Sequence, residues 1–325
     1  MSGNATKVTS DNYRLSASEV EQFKQNGYIG PFTIYTPEQL DELWEKARAE
    51  MYDRTHAAYP LDSFDEVAGV TNIANYDRHL DIDFLTDHVM NAKIVDRVAS
   101  VLGDDVLCWR TEFFPKHAGD EGTDWHQADT FANASGTPQI LWPTDDPSFI
   151  RGGTVTVWTA FTDTTTETAC LQFIPGTHLH MNYDESKPME YRPDKFNQVE
   201  KAGVNRGFYG YDYRELRIDP DFEPDESKAV PIELKRGQCI IFLSTLMHAS
   251  YPHRGTKKEM RLGFASRYVP TRVRVYPDTE VIEEYGGRVS LDRFGSVLVS
   301  GENSYDFNKV VTTNLKGRPF VRRSV

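Results

Sequence analysis

The chain has 325 residues, is 39% apolar, and carries 36 basic against 49 acidic residues, enough for one sizeable core or two modest ones. A net charge of -13 excludes general nucleic-acid binding, because such a surface repels phosphate backbones. The most continuous apolar run, Cys239 to Leu243 with Leu246 and Met247 beyond, is too short to cross a bilayer.

The start, MSGNATKVTS, lacks the basic-then-apolar pattern of a signal peptide. Cys108, Cys170 and Cys239 are scattered and odd in number, which fits neither a disulfide framework nor a thiolate zinc site. A reducing, cytoplasmic setting is expected. The first hundred residues read as helical. Ser16 and Glu19 form a capping box and Gly27 a stop; Thr36, Pro37 and Gln39 repeat the signal. Leu40, Leu43, Trp44 and Ala47 then recur at helical spacing. A third helix is expected from Val89 to Leu102, ended by Gly103.

From residue 107 the pattern turns to β. Leu107 to Phe114 is aromatic-rich and is expected to end at Pro115. Short strands follow at 154–161, 169–174, 229–234, 238–243 and 262–269, separated by glycine and proline turns. This order predicts a mainly β fold with flanking helices, a barrel or jelly roll buttressed on one side. A single catalytic domain is expected, with a helical buttress at 1–105, a core at 106–270 and a C-terminal extension at 271–325. Residues 177–228, rich in Tyr, Asp and Gly, interrupt the core as a lid or binding loop.

Of nine histidines, His56, His79, His88, His117, His180 and His253 read as ordinary surface or hydrogen-bonded residues. His178 follows Ile-Pro-Gly-Thr and reads as part of a turn. His126, in DWHQADT, and His248, directly after the strand 238–243, are different. Two strand histidines about 120 residues apart fit the 2-His-1-carboxylate face of Fe(II) oxygenases, whose carboxylate usually stands two residues after the first histidine. On a strand, i and i+2 point to one side. Here i+2 is Ala128, which cannot bind a metal. Asp129 is a nearby carboxylate that would reach the same face only through a bulge.

At these residues the chain resembles the non-haem iron/2-oxoglutarate halogenases that chlorinate carrier-protein-tethered amino acids, the syringomycin threonine halogenase type. They are a branch of the phytanoyl-CoA dioxygenase-like superfamily. The resemblance runs from about Tyr28 to Phe320. It rests on TNIANYDRHLD at 71–81, CWRTEFFP at 108–115, DEGTDWHQADTFANA at 120–134, LQFIPGT at 171–177 and STLMHASYPH at 244–253.

The resemblance implies a double-stranded β-helix, a cupin-like jelly roll, with Fe(II) on His126 and His248 and chloride in the space left by Ala128. It implies 2-oxoglutarate on the iron with its far carboxylate on Arg261, a pairing that a planar guanidinium suits; Arg254 and Arg267 are the competing arginines. Thr123 and Trp158 match positions near the cosubstrate, and Asn133 and Thr156 positions on the chloride and substrate side. Glu112 and Arg267 match groups that orient ligands and water. O2 is the implied oxidant. An aminoacyl thioester on a phosphopantetheinyl carrier protein is the implied substrate and partner in nonribosomal peptide biosynthesis. Tyr209, where relatives can carry phenylalanine, falls in the stretch expected to line the substrate arm. For carrier docking the local basic groups are Arg254, Lys257, Lys258, Arg318, Arg322 and Arg323, with solvated surface charge the plain alternative. The sequence leaves open a hydroxylase using Asp129 and a jelly-roll binding protein without catalysis.

Overall fold

The computed structural model describes residues 13–59, 75–132, 135–150, 152–192, 199–201, 204–207, 210–256 and 260–323. Helix α1 (Ala17–Asn26) starts where Ser16 and Glu19 exchange side-chain and backbone hydrogen bonds, and it ends on Gly27 at φ 81°. Helix α2 (Pro37–Tyr52) starts with the same reciprocal pair, Thr36 and Gln39. The helix expected from Val89 to Leu102 forms as α4 (Ala92–Leu102), and a further short helix that was not expected, α3 (Asp83–Val89), precedes it. Asn91 sets the later start by taking extended backbone and accepting the Lys93 amide as an N-cap.

The expectation of an all-helical first hundred residues is corrected by β1 (Tyr28–Thr33), which forms one edge of the main sheet. Its Gly30 and Pro31 obscured it in the sequence, and the register slips between Ile29 and Phe32 accommodate them at the edge. The other strands of this sheet are β2 (Val106–His117), β3 (Val155–Ala160), β6 (Gln238–Leu243), β8 (Met260–Pro270), β9 (Ser296–Ser300) and β10 (Val310–Val311). They lie in the order β1-β6-β3-β8-β2-β9-β10, antiparallel except for the last pair. A second sheet has the order β7-β4-β5, from β4 (Leu171–Phe173), β5 (Val230–Ile232) and β7 (His248–Ser250).

Strand β2 does not stop at Pro115. It runs two residues further, because Pro115 pairs with Leu262 of β8 on one side while β9 pairs with β2 only near Val106 to Cys108. A proline that donates no hydrogen bond is tolerated where one flank needs none. The sheet also recruits β1, β9 and β10 from outside residues 106–270.

Side chains alternate across the main sheet as the pleat demands. Val155, Val157, Cys239, Ile241, Phe264 and Tyr268 pack in the core that the helices share. Trp158, Ala160, Ile240, Phe242 and Ala265 face the second sheet, meeting Leu171, Phe173 and Ile232. Phe173 and Phe242 lie 4.8 Å apart between the sheets. Two sheets closed over one interior make a mainly β, cupin-like jelly roll, with the functional pocket between them. The three cysteines are free and buried. Among the described residues no helix is long and apolar enough to cross a membrane. The C-terminal arginines are tied down: Arg318 and Arg323 pair with Asp87, and Arg322 with Asp96.

Two buried histidines weld the helices to the sheet. His88 of α3 sits between the Tyr35 hydroxyl at 2.9 Å and Thr159 Oγ1 of β3 at 3.3 Å, and His79 Nδ1 meets Thr111 Oγ1 of β2 at 2.9 Å. Burial favours the neutral ring and holds each down to about 3 from the ordinary 6.5. Between those values the unfolded chain binds protons that the folded chain refuses. Stability is therefore full above pH 6.5 and falls as pH drops toward 3. Urea titrations are expected to show a slope of up to about 1.4 kcal/mol per pH unit for each histidine. His88→Gln, which hydrogen-bonds but does not titrate, is expected to remove one histidine's share of that slope.

Candidate functional site

The segment leading to Ala128 meets β7 through a single antiparallel bridge. His126 N donates to His248 O and His248 N to His126 O, both at 3.1 Å. This pairing sets the two imidazole centroids 3.9 Å apart. Each ring is fixed by the carbonyl two residues before it: His126 Nδ1 lies 2.8 Å from Asp124 O, and His248 Nδ1 lies 2.7 Å from Leu246 O. A carbonyl only accepts, so Nδ1 carries the hydrogen in both rings and Nε2 the lone pair. Burial also disfavours their charged forms, holding His248 down to about 4 and His126 well below its ordinary value, where the neighbouring His248 adds to the effect. The result is a pair of neutral nitrogen donors lining one pocket.

Ala128 lines that same pocket. Its amide donates to Ser244 O at 2.9 Å, and its carbonyl accepts from Ser244 Oγ at 2.7 Å. Asp129 lines a different cleft, with Trp142 and Asp145. The bulge that would turn its carboxylate to the histidines is not formed. Among the described residues no three His, Cys, Asp or Glu side chains converge as a metal-binding group. Two imidazole donors beside a methyl group fit a metal of the facial-triad kind that lacks its carboxylate.

One end of the pocket is cationic and buried. On β8 the residues facing inward are Arg261, Gly263, Ala265 and Arg267, alternating with Phe264 and Tyr268 on the helix side. Arg261 is 2% exposed, and its guanidinium stands 5.3 Å from the Trp158 ring centre. Trp158 lies across Gly263, where an added Cβ would come within 1.8 Å of the indole. Thr123 and Ser250 close this end, joined by a 3.0 Å hydrogen bond from Thr123 N to Ser250 Oγ. Lys116, opposite Arg261 on β2, is held down to about 7 by burial and then by the Arg261 charge. Such an enclosure suits a small dicarboxylate.

Toward the other end, Arg267 Nη2 donates to Glu112 Oε2 at 2.9 Å, while its guanidinium spans Phe131 and Phe114. Among the described residues its buried Nη1 has no hydrogen-bond partner, which leaves a donor to spare. Burial pushes the Glu112 carboxyl up, against the pull of Arg267. Thr156 lines this region, with Phe131 and Phe242 supplying apolar wall. Arg254, by contrast, is exposed and outside the pocket. Asn133, Tyr209, Lys257 and Lys258 lie outside the described residues.

None of the other histidines lines the pocket. His178 does hold a turn, its Nε2 meeting Lys24 O at the end of α1 at 3.0 Å. Sequence reasoning missed Arg110, Tyr76, Tyr285 and Ser244, all pocket-lining. Arg110 was within reach, because it stands two residues before Glu112 on one strand and must share its face. Tyr285 was not, since it arrives from a hairpin turn between Val281–Glu284 and Gly287–Ser290.

Residues 23–262 match the phytanoyl-CoA dioxygenase (PhyH) family. Among solved structures, "CytC3 with Fe(II) and alpha-ketoglutarate" is 44% identical, with a TM-score of 0.73, covering 96% of this chain and 98% of its own. A second CytC3 structure is 47% identical at the same coverage, with a TM-score of 0.72. The non-heme monooxygenase ThoJ in its apo form, 22% identical over 90% of this chain and 86% of its own with a TM-score of 0.59, shares the fold. No curated protein matches the sequence.

Gly263 is where the close approach of Trp158 can be tested. Gly263→Ala is expected to displace the indole, alter near-ultraviolet circular dichroism and destabilise by about 1–3 kcal/mol. Trp158→Leu in the same chain is expected to relieve most of that loss. Additive effects of the two substitutions in urea denaturation would show that the residues do not touch.

Proposed function

Because the chain belongs to the phytanoyl-CoA dioxygenase family, and with it to the Fe(II)/2-oxoglutarate-dependent oxygenases, we propose that it is an aliphatic halogenase. It chlorinates an unactivated carbon of an aminoacyl group thioester-linked to a phosphopantetheinyl carrier protein. The observation that carries this reading is the methyl group of Ala128 beside two neutral imidazoles, with Asp129, the next carboxylate along the chain, lining another cleft. The thioester substrate follows from the resemblance of the sequence blocks around these residues.

His126 and His248 would hold Fe(II) through their Nε2 atoms. Arg261 would pair with the far carboxylate of 2-oxoglutarate, with Thr123 and Trp158 beside it. When bound, Fe(II) with 2-oxoglutarate and O2 supplies the oxidising power to take hydrogen from an aliphatic carbon, releasing succinate and CO2. Ala128 leaves one coordination position and one negative charge unfilled by protein, and chloride matches both. An aspartate side chain would occupy that same space. Arg267, held by Glu112, and Thr156 border the chloride and substrate side; the sequence resemblance alone adds Asn133 and Tyr209 to it. Phe114, Phe131, Leu171 and Phe242 line the pocket and keep water from the reacting carbon. Placement must be tight, because a small displacement of that carbon changes which atom it receives.

With Fe(II), 2-oxoglutarate, chloride and O2, a panel of aminoacyl-loaded carrier proteins is expected to yield one product with chlorine in place of hydrogen, read by its isotope pattern. Ala128→Asp is expected to abolish chlorination, and unchanged chlorination would remove the basis of the reading. Arg261→Gln is expected to weaken 2-oxoglutarate binding at least about tenfold, since it leaves a buried carboxylate unpaired. Calorimetry with Mn(II) in place of iron measures that loss.

A further inference from the structure

The turn that follows Ala128 is held by a carboxylate from far along the chain. Glu185 Oε2 accepts the amides of Asp129 at 3.0 Å, Thr130 at 2.7 Å and Phe131 at 3.0 Å, and the Thr130 hydroxyl at 3.0 Å. Three successive amides converging on one oxygen form an anion nest. Glu185 is only 3% exposed, and its Oε1 accepts from Tyr213 OH at 3.2 Å. Phe131 takes φ 56°, a left-handed conformation that a bulky residue adopts only when its surroundings impose it.

The consequence for the site is geometric. In a strand that continued straight, residue 130 would follow 128 onto the metal face. Here the nest bends the chain directly after Ala128. Alternation already turns Asp129 from the face of Ala128, and the bend fixes it in the neighbouring cleft, where its carbonyl accepts the Gly153 amide at 2.7 Å. Upstream, Gln127 does a related job: its amide group donates to Thr245 O at 2.6 Å and His180 O at 2.9 Å, and its oxygen accepts Asn182 N at 3.0 Å. Residues 180 to 185, at the start of the inserted stretch, therefore hold the Gln127 side chain before Ala128 and the backbone amides after it.

We propose that Glu185 is the positioning residue that keeps Ala128, and not Asp129, turned toward the metal. It touches neither metal nor substrate; it acts through the turn. Burial, and then the adjoining Asp129 carboxyl, push Glu185 up, so the two groups are close enough for the loss of one to free the other. The proposal rests on the halogenase reading for its meaning, and two readouts separate them.

The first readout is amide hydrogen exchange in the metal-free protein. Glu185→Ala is expected to speed exchange at Asp129, Thr130 and Phe131 by about 10- to 100-fold. Glu185→Gln, whose amide oxygen can accept the same donors, is expected to stay near wild type. The second is a chloride titration of the protein carrying Co(II) and 2-oxoglutarate, followed by visible absorption. Glu185→Ala is expected to weaken chloride binding at least about tenfold, and Asp129→Asn added to it is expected to restore binding. Should Glu185→Ala not fold, Glu185→Asp, one methylene short of the nest, takes its place. Unchanged exchange, or a chloride loss that Asp129→Asn does not restore, overturns the proposal. A wild-type protein that ignores chloride overturns the halogenase reading instead, and the exchange experiment still decides whether Glu185 holds the turn.

Discussion

Everything chemical in this molecule depends on one pair of backbone hydrogen bonds, those between His126 and His248. They join a segment before the inserted stretch to a strand after it. The side chains on either side inherit their positions from that join. The rings then need only one further constraint each, a carbonyl two residues upstream, to present the same nitrogen. Metal affinity in such a site is set less by the donors than by how little they must move to meet an ion.

The main sheet contributes a different kind of order. Its strict alternation sends Phe264 and Tyr268 to the helices and Arg261 and Arg267 to the pocket from a single strand. On β8, Arg267 is paired with Glu112 of β2, and Arg261 has Lys116, a second basic group, opposite it. Burial and the Arg261 charge hold Lys116 down to about 7. Basic groups are thus gathered at this end, where an anionic ligand is favoured.

Much of this was legible in the sequence. The capping boxes at Ser16 and Thr36 are local chemistry and formed as read. The strands at 154–161, 238–243 and 262–269 were visible from apolar runs between turns. Errors arose where tertiary context decides. Asn91 starts the third expected helix three residues late because its side chain caps better than it propagates. Pro115 stays in its strand because its neighbour on one flank is missing, and no local signal reports that. The pair His126 and His248 could be singled out from strand context, and alternation set Asp129 on the opposite face unless a bulge intervened. What holds the turn there is Glu185, 56 positions away, whose carboxylate looked in the sequence like any other acidic residue.

Gly263 carries a last consequence. The indole of Trp158 occupies the volume any side chain there would need, so the two positions cannot drift independently. Both lie on paired strands of the same sheet, and their contact floors the anion-binding end. The opposite end is furnished by Tyr285, which comes from a hairpin tip, and by Tyr76, which flanks a short turn. Such connections can lengthen, shorten or change residue without disturbing a register. Substitutions are therefore expected to be resisted where Trp158 meets Gly263 and tolerated where loops furnish the wall.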